Sequence, residues 1–483
     1  MNSYRKYTQD IIFTGISNFV LAARGLILLP MITKVLGPSG YGMWTQIIVT
    51  LSLMTPMATL NLAASLARFL STDKSKEEIR ESFFSVVFAS LGASFFLTLA
   101  GWVLAEPAAR FLFGTGESAS LVRLTAVLLP LWAMDVVCLG FFRGLVQIRT
   151  HAVIVLLRDF VEVGFVALLV LLDYGIWGAL LGLIITRVLS NTAMLVVIIS
   201  RIGIRVPHFL KLRTYLRFGL PLIPGMLASW VVNAGDRYVI AYYLGVTSVG
   251  VYSAGYSIGN VIAFFLGPLS VVMMPTLSRA YEGHEAEVKT YLTYSLKFFL
   301  MLAIPSVFGL AILAKPILMA LSTPDFVAVG SRVIPFIATG FVMFGVYVVF
   351  SQVLVLVNRT AIIGLLWVFI GLLNLGLNII FVPRLGPVGA AGTTLFCYTL
   401  TALVMVVYSR RFITFEVRLL FVAKSILASL VMAVVVWLLR PEGLSSILAV
   451  IALGATLYFI VLFALRGFSG AEIAFFRQFL TRR

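Results

Sequence analysis

Apolar stretches of twenty or more residues follow one another along almost the whole 483-residue chain, separated by short polar connections. Each stretch is long enough for an α-helix to cross a bilayer. Charged residues make up 11% of the sequence, whereas soluble domains carry about a quarter. We therefore predict an all-α polytopic membrane protein. Its net charge of +17 is then explained by loops beside a membrane, and we expect no nucleic-acid partner.

The apolar stretches predict fourteen transmembrane helices, with boundaries good to about four residues. Their ranges are 11–36, 41–69, 82–105, 121–142, 151–172, 176–199, 218–243, 249–278, 291–314, 331–357, 361–382, 388–408, 419–439 and 444–465. With the amino terminus in the cytoplasm, 22 of the 36 Lys and Arg residues fall in cytoplasmic segments and seven in outer segments. This bias predicts an inner-membrane protein with both termini cytoplasmic. The outer cations are Lys34, Arg110, Arg123, Lys315, Arg332, Arg384 and Arg440.

Two short segments mark an internal repeat. "LGPSGYGMW" at 36–44 aligns without gaps with "LGVTSVGVY" at 244–252, an offset of 208 residues. Three further matches occur in the same order at offsets of 210 to 212: Pro56 with Pro268, "RT" at 149–150 with 359–360, and "GIWGA" at 175–179 with "GPVGA" at 386–390. Spans 1–6 and spans 7–12 are therefore predicted to be two copies of one helical unit.

The repeat predicts the domain organisation. Because six is even, both copies keep the same orientation and are related by a pseudo-two-fold axis along the membrane normal, an arrangement suited to alternating access. We expect lobes at 1–205 and 206–412, followed by spans 13 and 14 with a cytoplasmic tail at 413–483. Pro56 and Pro268 interrupt helical hydrogen bonding within spans and are hinge candidates. The glycines of the repeated segments are expected to provide turns with positive φ.

Ionisable residues at bilayer depth are costly, and by default they indicate a functional site. Eight such residues occur in spans 1, 4, 5, 6 and 7: Arg24, Asp135, Arg158, Asp159, Glu162, Arg187, Asp236 and Arg237. One interpretation is internal pairing, since Arg158 and Glu162 are spaced i, i+4 and Asp236 and Arg237 are adjacent. Arg24 and Arg187 have no acid in their own helix, which favours a role in a cavity.

An arginine offers a planar, permanently charged and bidentate donor that matches phosphate oxygens. Midplane arginines therefore predict an anionic substrate. The predicted substrate-binding residues are Arg24, Arg187, Arg158, Asn233 and Arg237, where Asn233 shares one helix face with Ser229, Asp236 and Arg237. The candidates for ion coupling by H⁺ or Na⁺ are Asp135, Asp236 and Glu162. No catalytic residue, metal site or cofactor is predicted, and the sequence lacks the P-loop motif of direct ATP use.

Two segments resemble the polysaccharide repeat-unit flippases, the O-antigen and capsule translocases of the multidrug/oligosaccharidyl-lipid/polysaccharide exporter superfamily. They are "FTGISNFVLAARGLILLPMITKVLGPSGYGMW" and "YLRFGLPLIPGMLASWVVNAGDRYVIAYYLGVTSVGVYSAGYSIG". The resemblance runs through spans 1–12. It implies a two-lobed, fourteen-helix transporter that moves a polyprenyl-diphosphate-linked oligosaccharide from the cytoplasmic to the outer leaflet, driven by an ion gradient. Its expected partners are this substrate and membrane lipids, and we expect a monomer.

Three alternatives stay open. Drug/cation antiporters of the same superfamily usually stop at twelve spans, so spans 13 and 14 count against them. Peptidoglycan-precursor flippases have fourteen spans, but the "LGPSGYG" and "FGLPLIPG" segments look more like the polysaccharide branch. A membrane enzyme acting on lipid-linked sugars is a different class of protein, and it usually needs a sizeable outer loop that this sequence lacks. We therefore predict a transporter rather than an enzyme.

Overall fold

The protein is described here by a computed structural model, which covers residues 2–70, 75–267, 273, 277, 281 and 285–468, with side chains from Ile27 onward except that of Glu285. The described residues are almost entirely helical and contain no strand. Seventeen α-helices are numbered here in chain order: α1 (Asn2–Ala58), α2 (Leu62–Phe69), α3 (Lys76–Val103), α4 (Ala105–Phe113), α5 (Ala119–Gly144), α6 (Ile148–Leu169), α7 (Gly175–Ile202), α8 (Leu212–Gly219), α9 (Ile223–Trp230), α10 (Asp236–Leu244), α11 (Val246–Gly259), α12 (Glu285–Leu321), α13 (Val327–Leu356), α14 (Thr360–Leu385), α15 (Pro387–Ser409), α16 (Leu419–Leu439) and α17 (Leu444–Ala464).

Each predicted span coincides with helix in the described part of the chain, although the second half of span 8 lies mostly outside it. Within the described ranges, nine helices are long and apolar enough to cross a membrane, or ten if the bent pair Ile27–Ala58 and Leu62–Phe69 counts as one span. Spans 5, 6 and 8 are not among the nine. Spans 5 and 6 carry buried charges, and the second half of span 8 lies mostly outside the described residues. The structure therefore agrees with a polytopic helical membrane protein.

The backbone repeats the sequence repeat. Gly37 breaks α1 between spans 1 and 2 with φ of 64°, and Gly245 separates α10 from α11 with φ of 79°. Gly175 and Gly386, the first residues of "GIWGA" and "GPVGA", have φ of 59° and 66°. Residues with a Cβ rarely adopt such values. The expected turn is confirmed at the first glycine of each matched segment and is wrong for Gly40, Gly42 and Gly250, which lie within helices. The two copies break their helices at matching positions.

Span 7 departs from a regular helix. It begins at Leu212, six residues before its predicted start, and continues through a 3₁₀ turn at Leu220–Leu222 into α9. A π-helical turn then covers Val231–Gly235 before α10 begins at Asp236. Such π turns occur frequently at functional sites. The distortion lies in the part of span 7 that carries the predicted polar face of Ser229, Asn233, Asp236 and Arg237.

Of the two hinge candidates, Pro56 lies within the described residues and Pro268 does not. Pro56 is buried near the end of α1. Leu60 and Asn61 follow with φ of 49° and 51°, and the axes of the two helix segments differ there by 57°. The bend therefore lies a few residues beyond Pro56. Pro268 lies outside the described residues, and both hinge roles stay predictions.

Contacts divide the chain into two compact units, Met1–Ser253 with Gly364–Thr393, and Ala254–Ile363 with Thr394–Arg483. In the first unit, α2, α3, α5 and α7 enclose an apolar core that includes Phe83, Phe141 and Tyr215. In the second unit, a smaller core joins α12, α16 and α17 around Met432 and Tyr458. The predicted lobe boundaries at 205 and 412 fall in segments that connect helices, and they stay a prediction.

Candidate functional site

Five charged side chains from three membrane helices meet in the first compact unit. Arg158 on α6 places Nη1 2.5 Å from Asp135 Oδ2 on α5 and Nη2 3.0 Å from Asp159 Oδ1 on its own helix. Arg187 on α7 places Nη2 2.9 Å from Glu162 Oε2 and Nη1 3.8 Å from Asp135 Oδ1. We call Asp135, Arg158, Asp159, Glu162 and Arg187 the α5–α7 charge cluster.

The cluster is removed from solvent and bulk lipid. The side chains of Arg187 and Glu162 are 2% and 0% exposed, and that of Arg158 is 11% exposed. The guanidinium carbon of Arg187 also lies 4.3 Å from the centre of the Trp132 ring, a cation–π distance. Burial is costly for every charge, so removal of one partner would leave a buried charge that strongly destabilises the packed helices.

Helix geometry explains why these residues meet. Arg158 and Glu162 are four residues apart and share one face of α6, and α6 packs against both α5 and α7. Asn191, one turn beyond Arg187 on α7, donates Nδ2 to the carbonyl of Leu131 on α5 at 2.8 Å. This bond joins α7 to α5 one turn from Arg187.

The two pairing predictions have different outcomes. Asp236 and Arg237 form the predicted pair at 2.8 Å. The pair predicted within α6 is wrong, because the ion pairs of Arg158 are with Asp135 and Asp159 while Glu162 binds Arg187. Arg187 therefore has an acid partner, but it comes from the neighbouring helix.

A second group of polar residues lies at the π turn of span 7. Arg237 donates Nη1 to Asp236 Oδ1 at 2.8 Å and to the carbonyl of Asn233 at 2.6 Å. Tyr252 on α11 donates its hydroxyl to the other carboxylate oxygen of Asp236, and Asn233 donates to the carbonyl of Ser229 at 2.8 Å. We call these five residues the span 7 cluster. Tyr252 was not predicted to belong to it.

The structure thus separates the predicted site residues into two groups. Asp135, Arg158, Glu162 and Arg187 are together in the α5–α7 charge cluster, whereas Asn233, Asp236 and Arg237 belong to the span 7 cluster. The side chain of Arg24 lies outside the described residues, although its helix α1 packs against α6. The contact of Trp132 with Arg187 was not predicted, and the spacing of three residues between Trp132 and Asp135 on α5 was the signal available.

The chemistry available to the α5–α7 charge cluster is a change of charge on one of its acids. Asp135 is the acid that lies within 4 Å of both arginines, at 2.5 Å from Arg158 Nη1 and 3.8 Å from Arg187 Nη1. An arginine does not lose its proton in proteins, so a carboxylate is the group able to accept or release one. Among the residues that the structure describes, no group of His, Cys, Asp and Glu is arranged to hold a metal ion.

A family model and two curated relatives indicate the family of this chain. The model of the family described as "Polysaccharide biosynthesis protein" matches residues 31–329, more than half of the chain. The succinoglycan biosynthesis transport protein ExoT of Rhizobium meliloti (strain 1021) is 27% identical over 61% of this chain and 58% of its own length. The probable low-salt glycan biosynthesis flippase Agl15 of Haloferax volcanii is 20% identical over 48% of this chain and 49% of its own. The chain thus spans about half the length of these curated relatives.

A solved structure shares the fold of this chain. The lipid II flippase MurJ in an inward closed conformation aligns with 94% of this chain and 97% of its own length, at 18% identity and a TM-score of 0.75. The predicted fold class is confirmed by this likeness together with the helical structure. The relatives named above are a transport protein and a flippase, which agrees with the expectation that the chain is not an enzyme.

Proposed function

The chain belongs to the polysaccharide biosynthesis protein family, and on that premise we propose that it is a flippase for a polyprenyl-(di)phosphate-linked oligosaccharide. The substrate moves from the cytoplasmic to the outer leaflet by alternating access, coupled to an H⁺ or Na⁺ gradient. The protein lies in the inner membrane with both termini in the cytoplasm, and it works as a monomer. The names of its relatives support the substrate class, because they include succinoglycan transport and glycan flipping.

The observation that carries the coupling proposal is the position of Asp135, whose carboxylate faces both Arg158 and Arg187 in the buried α5–α7 charge cluster. A carboxylate buried between two arginines changes the charge of the whole network when it binds H⁺ or Na⁺, so the network responds to either ion. Asp135 is the best placed of the three acids, since it lies within 4 Å of both arginines. Loss or gain of its charge changes the attraction between α5 and the other two helices.

Substrate recognition is assigned to arginines, as the sequence suggested. Arg24, Arg158, Arg187 and Arg237, with Asn233, are proposed to contact the phosphate groups of the lipid carrier during transport. In the described conformation, Arg158, Arg187 and Arg237 are held by acids. Substrate phosphate would therefore exchange with a carboxylate partner. This exchange links substrate binding to the ionisation of the acids.

The test of the proposed function is deletion of the gene in its native host. We expect loss of a surface polysaccharide and accumulation of its lipid-linked repeat unit on the cytoplasmic side, both reversed by the wild-type gene. A surface polysaccharide that is unchanged in amount and composition would contradict the proposal. Accumulation of the peptidoglycan precursor instead of a glycan repeat unit would favour the alternative peptidoglycan-precursor flippase.

A further inference from the structure

A cavity of ≈570 Å³ lies between α12 and the connection from α16 to α17, in the second compact unit. Its lining includes Lys315 near the end of α12, Trp437 in the last turn of α16, and Arg440 and Glu442 in the connection. By the positive-inside topology, this cavity is on the outer side of the membrane. It involves neither the α5–α7 charge cluster nor the span 7 cluster.

The predicted outer side of the protein has few cations, and two of them, Lys315 and Arg440, line this cavity. The sequence places only seven Lys and Arg residues on the outer side, and two of them line this one cavity. A third outer cation, Arg110, is paired with Glu106 at 2.5 Å. In the part of the chain that the structure describes, neither Lys315 nor Arg440 forms an ion pair. With Glu442, the cavity carries a formal net charge of +1.

The backbone at Arg440 is unusual. This residue ends α16 in the left-handed region, with φ of 40° and ψ of 61°. Residues with a Cβ seldom adopt this conformation. Its population relative to ordinary backbone conformations is lower by a factor on the order of ten or more unless the surrounding structure stabilises it. Arg440 lines the cavity in that conformation. Strain of this kind is typical of binding sites.

An apolar cavity of ≈380 Å³ continues from the charged one. It runs between α12, α16 and α17, and both cavities share Leu313 and Val436 in their linings. Its walls are mainly apolar, with Ile451 and Ala455 among the exposed residues of α17. The two adjoining cavities together offer a charged end and an apolar region beside it.

We propose that the two cavities bind a phospholipid of the outer leaflet, with its phosphate between Lys315 and Arg440 and one acyl chain along α16 and α17. A phosphodiester carries one negative charge, which matches the net charge of the cavity better than a diphosphate does. Arginine and lysine are the residues that bind phosphate oxygens, and Trp437, 58% exposed, is of the residue type that lies at headgroup depth. The inference does not depend on the transported substrate.

The test is titration of the purified full-length protein with phosphatidylglycerol, followed by native mass spectrometry. We expect Lys315→Ala with Arg440→Ala to weaken phosphatidylglycerol binding about tenfold or more, since two charge-assisted contacts are lost. Arg332→Ala is the matched control, because Arg332 is another exposed outer cation and does not line either cavity. Phosphatidylcholine, whose choline cation offsets the charge of its phosphodiester, should bind the wild type more weakly than phosphatidylglycerol does and lose less affinity in the double variant.

Filling the apolar cavity tests the acyl-chain half separately. Ala455→Phe adds a ring to its lining, whereas Ala452→Phe adds the same ring to an exposed position of α17 outside that lining. We expect only Ala455→Phe to weaken phosphatidylglycerol binding. Unchanged affinity in the double alanine variant, or an equal loss in Arg332→Ala, would overturn the proposal. Tighter binding of undecaprenyl diphosphate than of phosphatidylglycerol at Lys315 and Arg440 would overturn the phosphodiester assignment.

Discussion

The backbones of Gly42 and Gly250 meet so closely that neither residue has room for a side chain. A Cβ atom on Gly42 would overlap the carbonyl oxygen of Val246, and one on Gly250 would overlap the carbonyl oxygen of Pro38. Both pairs of residues, 42 with 250 and 38 with 246, are separated by the repeat offset of 208. A reciprocal contact of this kind is what a two-fold axis between two copies of one unit produces.

The contact predicts that Gly42→Leu and Gly250→Leu destabilise the protein to a similar extent. Each added side chain meets backbone atoms that cannot move aside, so we expect a cost of about 1–3 kcal/mol or more. Gly376→Leu is the control, since a Cβ there meets no atom within 4 Å. Thermal unfolding in detergent measures the effect. If the first two variants melt at the wild-type temperature, the close approach does not exist in solution.

The α5–α7 charge cluster predicts strong coupling between Glu162 and Arg187. Arg187→Met leaves three acids against one arginine in a buried site, a loss we expect to cost about 3–5 kcal/mol. Glu162→Gln with Arg187→Met removes both partners and should recover much of that stability. A double-mutant cycle on thermal unfolding measures the coupling energy. Additive effects of the two substitutions would show that the pair does not interact.

The ion pair of Arg187 shows which features of the structure could be predicted from the sequence and which could not. The fourteen spans and the repeat register were predictable, because hydropathy and residue spacing act along one chain. The partner of Arg187 was not, because it depends on the rotation of α7 against α6, which side-chain packing sets. The same limit hid Tyr252 as a partner of Asp236. Residues within one helix could be paired from spacing, and even there Arg158 binds an acid of α5.

Asp135→Asn is predicted to separate transport from ion coupling. It leaves two acids and two arginines in the cluster, and Arg158 keeps Asp159 while Arg187 keeps Glu162. We therefore expect a folded protein whose glycan export no longer responds to the H⁺ or Na⁺ gradient. Export assayed in cells at several external pH values and sodium concentrations measures the response. Asp325→Asn, in an exposed turn on the predicted outer side, is the control. Export by Asp135→Asn that follows the gradient like the wild type would rule out Asp135 as the coupling acid.

The span 7 cluster predicts unequal effects for its two ends. Tyr252→Phe removes one donor to Asp236 and leaves Arg237 in place, so we expect a loss of about 1–3 kcal/mol. Asp236→Ala leaves the buried Arg237 without its acid and should cost about 3–5 kcal/mol. Thermal unfolding of the two variants measures the order. A larger loss in Tyr252→Phe than in Asp236→Ala would contradict the description of Asp236 as the centre of the cluster.

Two acids of α3 that differ in burial contact the connection between α7 and α8, residues 203–211. Glu81 is 6% exposed, and its Oε1 accepts the backbone N–H of His208 at 2.8 Å and the hydroxyl of Ser85 at 3.2 Å. Glu78 pairs with Lys211 at 3.1 Å, but their side chains are 48% and 39% exposed. Surface ion pairs of this kind contribute little. Glu81 should therefore hold the connection and Glu78 should not.

Limited trypsin digestion tests this difference, because Arg205 and Lys211 lie in the connection. Glu81→Ala leaves the His208 N–H without its acceptor, at a cost of about 1–3 kcal/mol, and local opening should make cleavage there about tenfold faster. Glu78→Ala should be cleaved at the wild-type rate. Glu81→Gln should also resemble the wild type, since its amide oxygen remains an acceptor in the position of Oε1. Equal acceleration of cleavage in the Glu81 and Glu78 alanine variants would mean that the buried carboxylate has no special role in holding the connection. Rapid cleavage of Glu81→Gln would mean that the charge of Glu81, rather than its hydrogen bond to His208, holds the connection.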